Sequence, residues 1–443
     1  MNIKKYLSFT PLIKSLASSI NQISDSRKSG SVDYPLYDIV MSAFACMYMQ
    51  SPSLLRFQKL LKKRSNRNNL ETLFSVSSIP KEATIRDNLD IISPEVFSYV
   101  FKDYFGRLQR NNFLKMYHFI NGKYLITMDG SDYFSSKSIS CSNCLEQPHR
   151  DGSVTYSHKV VQPALVAPGR KQVFPLMPEE IKNTDGNTKQ DCEVNAAKRL
   201  IPQIRKSHPR LPIIWLADSL YATSPMIEDI LDHNEDYIFA AKRGDHKTLY
   251  ENFKKCKFSR KDFIDDKGKK FIHEWASNIQ LFKSSNINAN VLRLISVTKD
   301  KTGKNIPKYI GTWITNVVVT KDNIELLVRG ARSRWKIENE CFNTLKNNGY
   351  CMEHNYGHSS GSLSFNFYIL ILLGFYLHQI LELTDKLHKK ARTLCGPLYA
   401  FWESARAVFN FFINKSWEEL LQRIIDNEED LWIPVKDPPI VCH

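Results

Sequence analysis

The 443-residue chain is 42% hydrophobic, an ordinary share for a soluble globular protein, and it is too long for one simple core, so two or three domains are expected. Its formal net charge of +15 points to an anionic partner, most economically nucleic acid; the alternative is a generically basic protein kept soluble by its charge. Nine cysteines, an odd number scattered over a long chain, exclude a disulfide framework and fit reduced thiols in a cytoplasmic compartment.

In chain order, Met1-Asn2-Ile3-Lys4-Lys5 leads into mixed sequence rather than an apolar leader, so no secretory signal is expected. The region 1–121 reads as helical, a candidate DNA-binding domain without a firm helix-turn-helix signature. Leu36 to Met49 is an apolar helix stopped near Ser51-Pro52-Ser53. The next helix, from Leu54, ends in Lys62-Lys63-Arg64-Ser65-Asn66-Arg67. That basic cluster is either a phosphate contact or a solvated helix end favoured by the dipole. Ser93-Pro94-Glu95 starts another helix.

From Tyr124 the period changes to that of strands. Tyr124 to Asp129 reads as a strand ending in an acid, and Val154 to Val166 and Gln172 to Leu176 as two more. Pro163 marks a break or edge position. Asp191 to Ser207 reads as a helix, and Pro212 to Asp218 as a second apolar strand ending in an acid. A helix from Ser224-Pro225 and a strand from Tyr237 to Ala241 follow. This order suggests a mixed α/β (α+β) sheet with at least one parallel crossover. The region 251–312 reads as a β-rich insertion between lysine-rich turns, with strand-like runs at Phe271 to Trp275, Ile279 to Phe282, Val291 to Val297 and Tyr309 to Ile314.

Ile324 to Lys346 reads as one long helix. Ile324, Val328, Ala331, Trp335, Phe342 and Leu345 recur at the spacing of a buried face, and Glu338 falls inside that stripe. A buried carboxylate must be paired or bound to a metal. One reading of Glu338 is a structural ion pair with Arg334, one turn earlier. A loop rich in Gly, Ser and His, His354 to Ser362, precedes apolar helices at Leu363 to Leu383 and Leu398 to Ile413. The strongest apolar run, Phe367 to Leu377, is far short of the roughly 20 residues of a membrane span, so no membrane partner is expected. The expected divisions are 1–121, 122–250, 251–312, 313–385 and 386–443, the last a C-terminal helical region.

Three acids stand out by position: Asp129 and Asp218 at strand ends, and Glu338 on the long helix. Three carboxylates brought together cannot all stay ionised without cations. Hard oxygen donors suit Mg²⁺ or Mn²⁺. Two such ions activate a water or a 3′-hydroxyl and stabilise the leaving oxygen of a phosphodiester.

With those residues in view, the chain resembles the DDE transposases of bacterial insertion sequences, in the group with a Y-x₂-R-x₃-E-x₆-K signature. Arg334-x₃-Glu338 matches the central R-x₃-E, and Trp335 and Ile337 fill the R-W-x-I-E pattern. Met128-Asp129-Gly130 resembles the first-Asp strand, and Leu216-Ala217-Asp218-Ser219-Leu220-Tyr221 the second. Trp313-Ile314-Thr315-Asn316 resembles the strand and T-N turn before the catalytic helix. Two signature positions depart: the Tyr position is Ala331, and the Lys position is Leu345, with Lys346 one place later.

The resemblance implies an RNase H-like core with a β-stranded insertion, and Asp129, Asp218 and Glu338 as catalytic metal ligands. It implies cleavage of double-stranded DNA at transposon ends and transfer of the freed 3′-OH into target DNA, by at least a homodimer. Arg334 and Lys346 would position phosphates. Trp335 and Trp313 are the candidates for stacking on a flipped base, packing being the alternative for each. Lys242 and Arg243, with His354 and His358, are either DNA contacts or solvated turns. A nuclease that only hydrolyses DNA, and a non-catalytic DNA-binding derivative, are the rival functions.

A second cluster is independent of these acids. Cys141-x₂-Cys144-x₄-His149, followed by His158, has the ligand types of a structural Zn²⁺ site, although the His spacings fit no standard finger. The alternative is a reduced loop with incidental cysteines.

Overall fold

Strand β6 (Ile213–Ala217) is apolar and buried along its whole length, the pattern of a central strand covered on both faces. In the computed structural model it pairs in parallel with β1 (Tyr124–Ser136) on one side and β7 (Asp236–Ala240) on the other. Beyond β1 lies antiparallel β3 (Val154–Val166), whose far edge carries β2 (Leu145–Pro148), β4 (Phe174–Pro175) and β5 (Glu179–Ile181). Helices Glu193–Ser207 and Ser224–Asp232 make the crossovers into β6 and β7. The structure describes residues 4–25, 27, 32–61, 64–183, 190–266, 268–299 and 305–429.

The β-rich segment extends this same sheet. Strands β8 (Ser259–Ile264), β9 (Lys270–Gln280), β10 (Asn288–Lys299) and β11 (Asn305–Thr315) form an antiparallel run, and β11 joins β7. The sheet order is β2-β3-β1-β6-β7-β11-β10-β9-β8. The Thr315-Asn316 turn clamps the join. Thr315 Oγ1 donates to the Tyr237 carbonyl at 2.5 Å, and Asn316 accepts from the Tyr237 N–H at 3.0 Å while donating to Asp236 at 2.9 Å.

The chain divides into two compact units, residues 112–343 and residues 1–111 with 344–443. The sheet belongs to the first of these. The second is helical. Its Leu36–Tyr48 helix lies close against Leu363–Thr384, where Gly374 leaves room for the backbone of Tyr48. Phe9, Tyr48, Phe74, Trp402 and Trp417 form an aromatic core beside them. The Leu363–Thr384 helix, at 22 residues, is longer than the apolar run inside it and passes a length-and-hydropathy test for a membrane span. Its most apolar window is 78% buried in the fold, so packing accounts for that surface. In the basic cluster after Leu54, Lys62 and Lys63 lie outside the described residues; Leu54–Leu61 and Arg64–Phe74 on either side are helical.

The long helix is not uniform. Ile324–Arg332 is α-helical, Ser333–Trp335 tightens to a 3₁₀ turn, and Ile337–Phe342 widens to a π-helix. Through the tight turn the buried face advances in steps of three, from Val328 through Ala331 and Arg334 to Ile337. Trp335 is therefore rotated outward and is 51% exposed, which corrects the expected buried stripe. Glu338, also expected in that stripe, is part-exposed.

Candidate active site

Asp129 and Asp218 occupy matched positions on neighbouring parallel strands. The β1–β6 ladder ends at Thr127 and Leu216, and each acid stands two residues beyond its strand's last pair. The carboxyl ends of parallel strands are where open α/β sheets present their chemistry. Asp129 is not the end of its strand, which corrects the expectation from sequence: β1 continues to Ser136 on the antiparallel side, with Asp129 opposite Gln162. Asp218 follows β6 directly, and its Oδ1 accepts the Leu220 N–H at 2.8 Å, a local turn that holds the carboxylate.

Glu338 is tied to this pair through Arg334. The guanidinium donates to Asp129 Oδ2 at 3.2 Å and pairs with Glu338 Oε1 at 2.7 Å. It also lies over the Trp335 ring, 4.7 Å from the centroid. The donors of Arg334 are thus directed to carboxylates, which is the ion-pair reading of Glu338 with Asp129 as a second partner. Burial pushes the Asp129 carboxyl up to about 7; Arg334 opposes this, while Glu338, Asp218 and Glu193 add to it.

Glu193 is a fourth carboxylate that the sequence reading missed. It opens the helix Glu193–Ser207, and its carboxylate packs on the backbone of Gly130. The buried Tyr221 hydroxyl, three residues after Asp218, donates to Glu193 Oε2 at 3.2 Å. Burial raises the Glu193 carboxyl above the usual range, against the Tyr221 hydrogen bond. A cavity of about 430 Å³ borders Glu193, Lys159 and Leu220.

The other candidates are distributed as follows. Lys242 is exposed and its Nζ stands 3.9 Å from Asp218 Oδ2; Arg243 beside it is exposed. Trp313 is buried at 5% exposure, with its ring over Gly311. It offers no face to a base, which corrects its assignment as a stacking residue: β11 turns this side chain into the sheet's packing. Lys346 belongs to the helical unit and pairs with Glu353 at 2.8 Å.

Among the cysteines, Cys141, Cys144 and His158 are grouped closely enough to hold a metal ion. His149 is not with them. It sits exposed in the β2–β3 hairpin turn and its Nε2 lies 2.7 Å from Thr155 Oγ1. The tight hairpin carries residue 149 past the last ladder pair, Pro148 with Val154, and away from the strand position that His158 occupies.

No protein-family model matches the chain, and no curated protein matches it.

Proposed function

We propose that the chain is a DDE-type transposase, a metal-dependent DNA nuclease and strand transferase acting on double-stranded DNA. The observation that carries this reading is Arg334 bridging Asp129 and Glu338, with Asp218 at the matched position on the neighbouring parallel strand. The sheet supports an RNase H-like core: an antiparallel strand beside β1, then β6 and β7 parallel to it, with helical crossovers.

The donor set fits Mg²⁺ or Mn²⁺. It offers hard carboxylate oxygens only, and burial, with the neighbouring carboxylates adding to it, raises the Asp129 carboxyl. When bound, such ions activate the attacking oxygen and stabilise the leaving one. Asp129, Asp218 and Glu338 hold them. Arg334 fixes the carboxylates of Asp129 and Glu338 relative to one another. The exposed face of Trp335 stacks on an unpaired base, and Lys242 and Arg243 neutralise backbone phosphates. The net charge of +15 supplies the non-specific part of DNA affinity, and a dimer holds two ends together. For the separate thiol–imidazole cluster, the donor types favour zinc over a hard cation.

The test incubates purified protein with labelled DNA carrying the element's ends, with and without Mg²⁺, beside Glu338→Gln. Metal-dependent cleavage with joined products, both lost in the variant, is expected. Cleavage without joining makes the protein a nuclease. Binding to correct ends without cleavage in any divalent metal overturns the enzymatic reading.

A further inference from the structure

We propose that Cys141, Cys144 and His158 hold a structural zinc ion that fastens the β1–β2 connection to strand β3. The proposal stands on its own donors and is independent of the carboxylate centre.

The three donor atoms form an almost equilateral triangle. Cys141 Sγ and Cys144 Sγ are 3.7 Å apart, and His158 Nε2 lies 3.5 Å from the first and 3.6 Å from the second. Two sulfurs each about 2.3 Å from one tetrahedral ion stand about 3.7 Å apart, and a sulfur and an imidazole nitrogen about 3.5 Å. A disulfide would require about 2.05 Å. Two thiolates and an imidazole are three of the four donors of a Cys₂His₂-type or Cys₃His-type structural zinc site.

The surroundings fit the same assignment. The Cys141 N–H donates to Cys144 Sγ at 3.4 Å, which fixes the orientation of that sulfur. Behind the imidazole, His158 Nδ1 faces Glu180 Oε1 at 3.8 Å. Glu180 is itself held by the Tyr133 hydroxyl at 2.5 Å and Lys182 at 3.3 Å. A carboxylate behind a metal-bound histidine fixes the tautomer and raises the basicity of the ring. Cys144 and His158 are almost fully buried.

The site has structural work to do. His158 pairs with Phe134 at the point where the β1–β3 ladder shifts register, after Asp132. Cys141 and Cys144 lie in the connection that leaves β1, just before β2 begins. Binding at this point pins an irregular stretch that hydrogen bonding alone holds poorly.

The experiment measures zinc by elemental analysis on the full-length chain purified without chelators. One zinc per chain is expected. Cys144→Ser and His158→Asn should lose it, and His149→Ala should keep it. Glu180→Gln should keep it with affinity lowered about 10–100-fold, read by competition with a chromogenic chelator. A cysteine variant that fails to fold would lose metal trivially, so the wild-type chain is also loaded with Co²⁺. Thiolate-to-cobalt charge transfer with tetrahedral d–d bands is expected. A folded wild-type chain that takes up neither metal overturns the proposal. So does loss of zinc in His149→Ala, or a Cys141–Cys144 disulfide found by native thiol counting.

Discussion

Gly130 makes room for Glu193: a Cβ built at position 130 would stand 2.3–2.5 Å from the Glu193 carboxylate. The glycine is thus a seat for an acid that begins a helix more than sixty residues later in the chain, and it adjoins Asp129. Gly130→Ala should push that carboxylate off its seat. The clash involves a side-chain end, so the stability cost should stay below about 1–3 kcal/mol, the range for overpacking. Metal-dependent DNA cleavage should fall at least tenfold. Cleavage and thermal unfolding measured on the same preparation separate the two effects; unchanged cleavage would remove Glu193 from the centre.

Arg334 carries the positive charge between Asp129 and Glu338. Arg334→Gln leaves those carboxylates facing each other in a partly buried site. The variant should melt earlier than wild type in metal-free buffer, and Mg²⁺ should raise its melting temperature more than that of wild type. Equal shifts would show that the guanidinium and the cation do not serve the same charges.

Asp218→Ala should abolish cleavage while leaving end binding largely intact, because phosphate contacts from Lys and Arg dominate affinity. Gel-shift and cleavage assays on one substrate check this. The affinity of both proteins should fall steeply and in parallel with salt, and a flat salt response would remove the argument from net charge.

The two tryptophans should separate cleanly. Trp335→Ala removes an exposed ring, so stability should change by less than about 0.5 kcal/mol, while single-strand DNA binding weakens by about 1–3 kcal/mol if a base stacks there. Trp313→Ala opens a cavity in the sheet's packing and should cost about 3–5 kcal/mol of stability. Chemical denaturation of the two variants decides between these roles.

The helical unit should be acid-sensitive. His378 is buried against Tyr48 and Trp402, with the Tyr350 hydroxyl 2.6 Å from Nδ1. Burial, reinforced by nearby His388, holds its pKa well below the ordinary 6.5. The unfolded chain therefore binds the proton first. Stability should be full above about pH 6.5 and fall as the pH drops below it, at up to about 1.4 kcal/mol per pH unit. His378→Gln should flatten that slope, measured by denaturant titrations from pH 7.5 to about 5.

Much of the sheet was legible because its strands obey local rules. β3 has the bounds read from its sequence, and β6 is the apolar run that stops at Asp218. Helix Lys247–Lys255 and strand β8 were missed: the helix has only 9 residues and buries just Leu249 and Phe253, and the strand is largely exposed. The part of β1 beyond Asp129 was missed because Gly130, Ser131 and Asp132 carry no apolar strand pattern, while their pairing comes from distant β3. The outward place of Trp335 was hidden by the assumption of a constant 3.6-residue turn. Glu193 carried no local signal at all: an acid in the first turn of a helix is expected for dipole reasons alone. Only the tertiary fold sets it against Gly130.

The continuity of β11 with β7 has a practical consequence. A chain trimmed of strands β8 to β11 would not be a smaller version of the same molecule. It would strip β7 of its neighbour along Ile238 to Ala240 and leave an apolar strand with open hydrogen-bonding groups at the sheet margin. Such margins recruit other chains. Shortening the protein there should produce aggregates, and a workable truncation has to keep at least the last rungs of the ladder that end in Thr315.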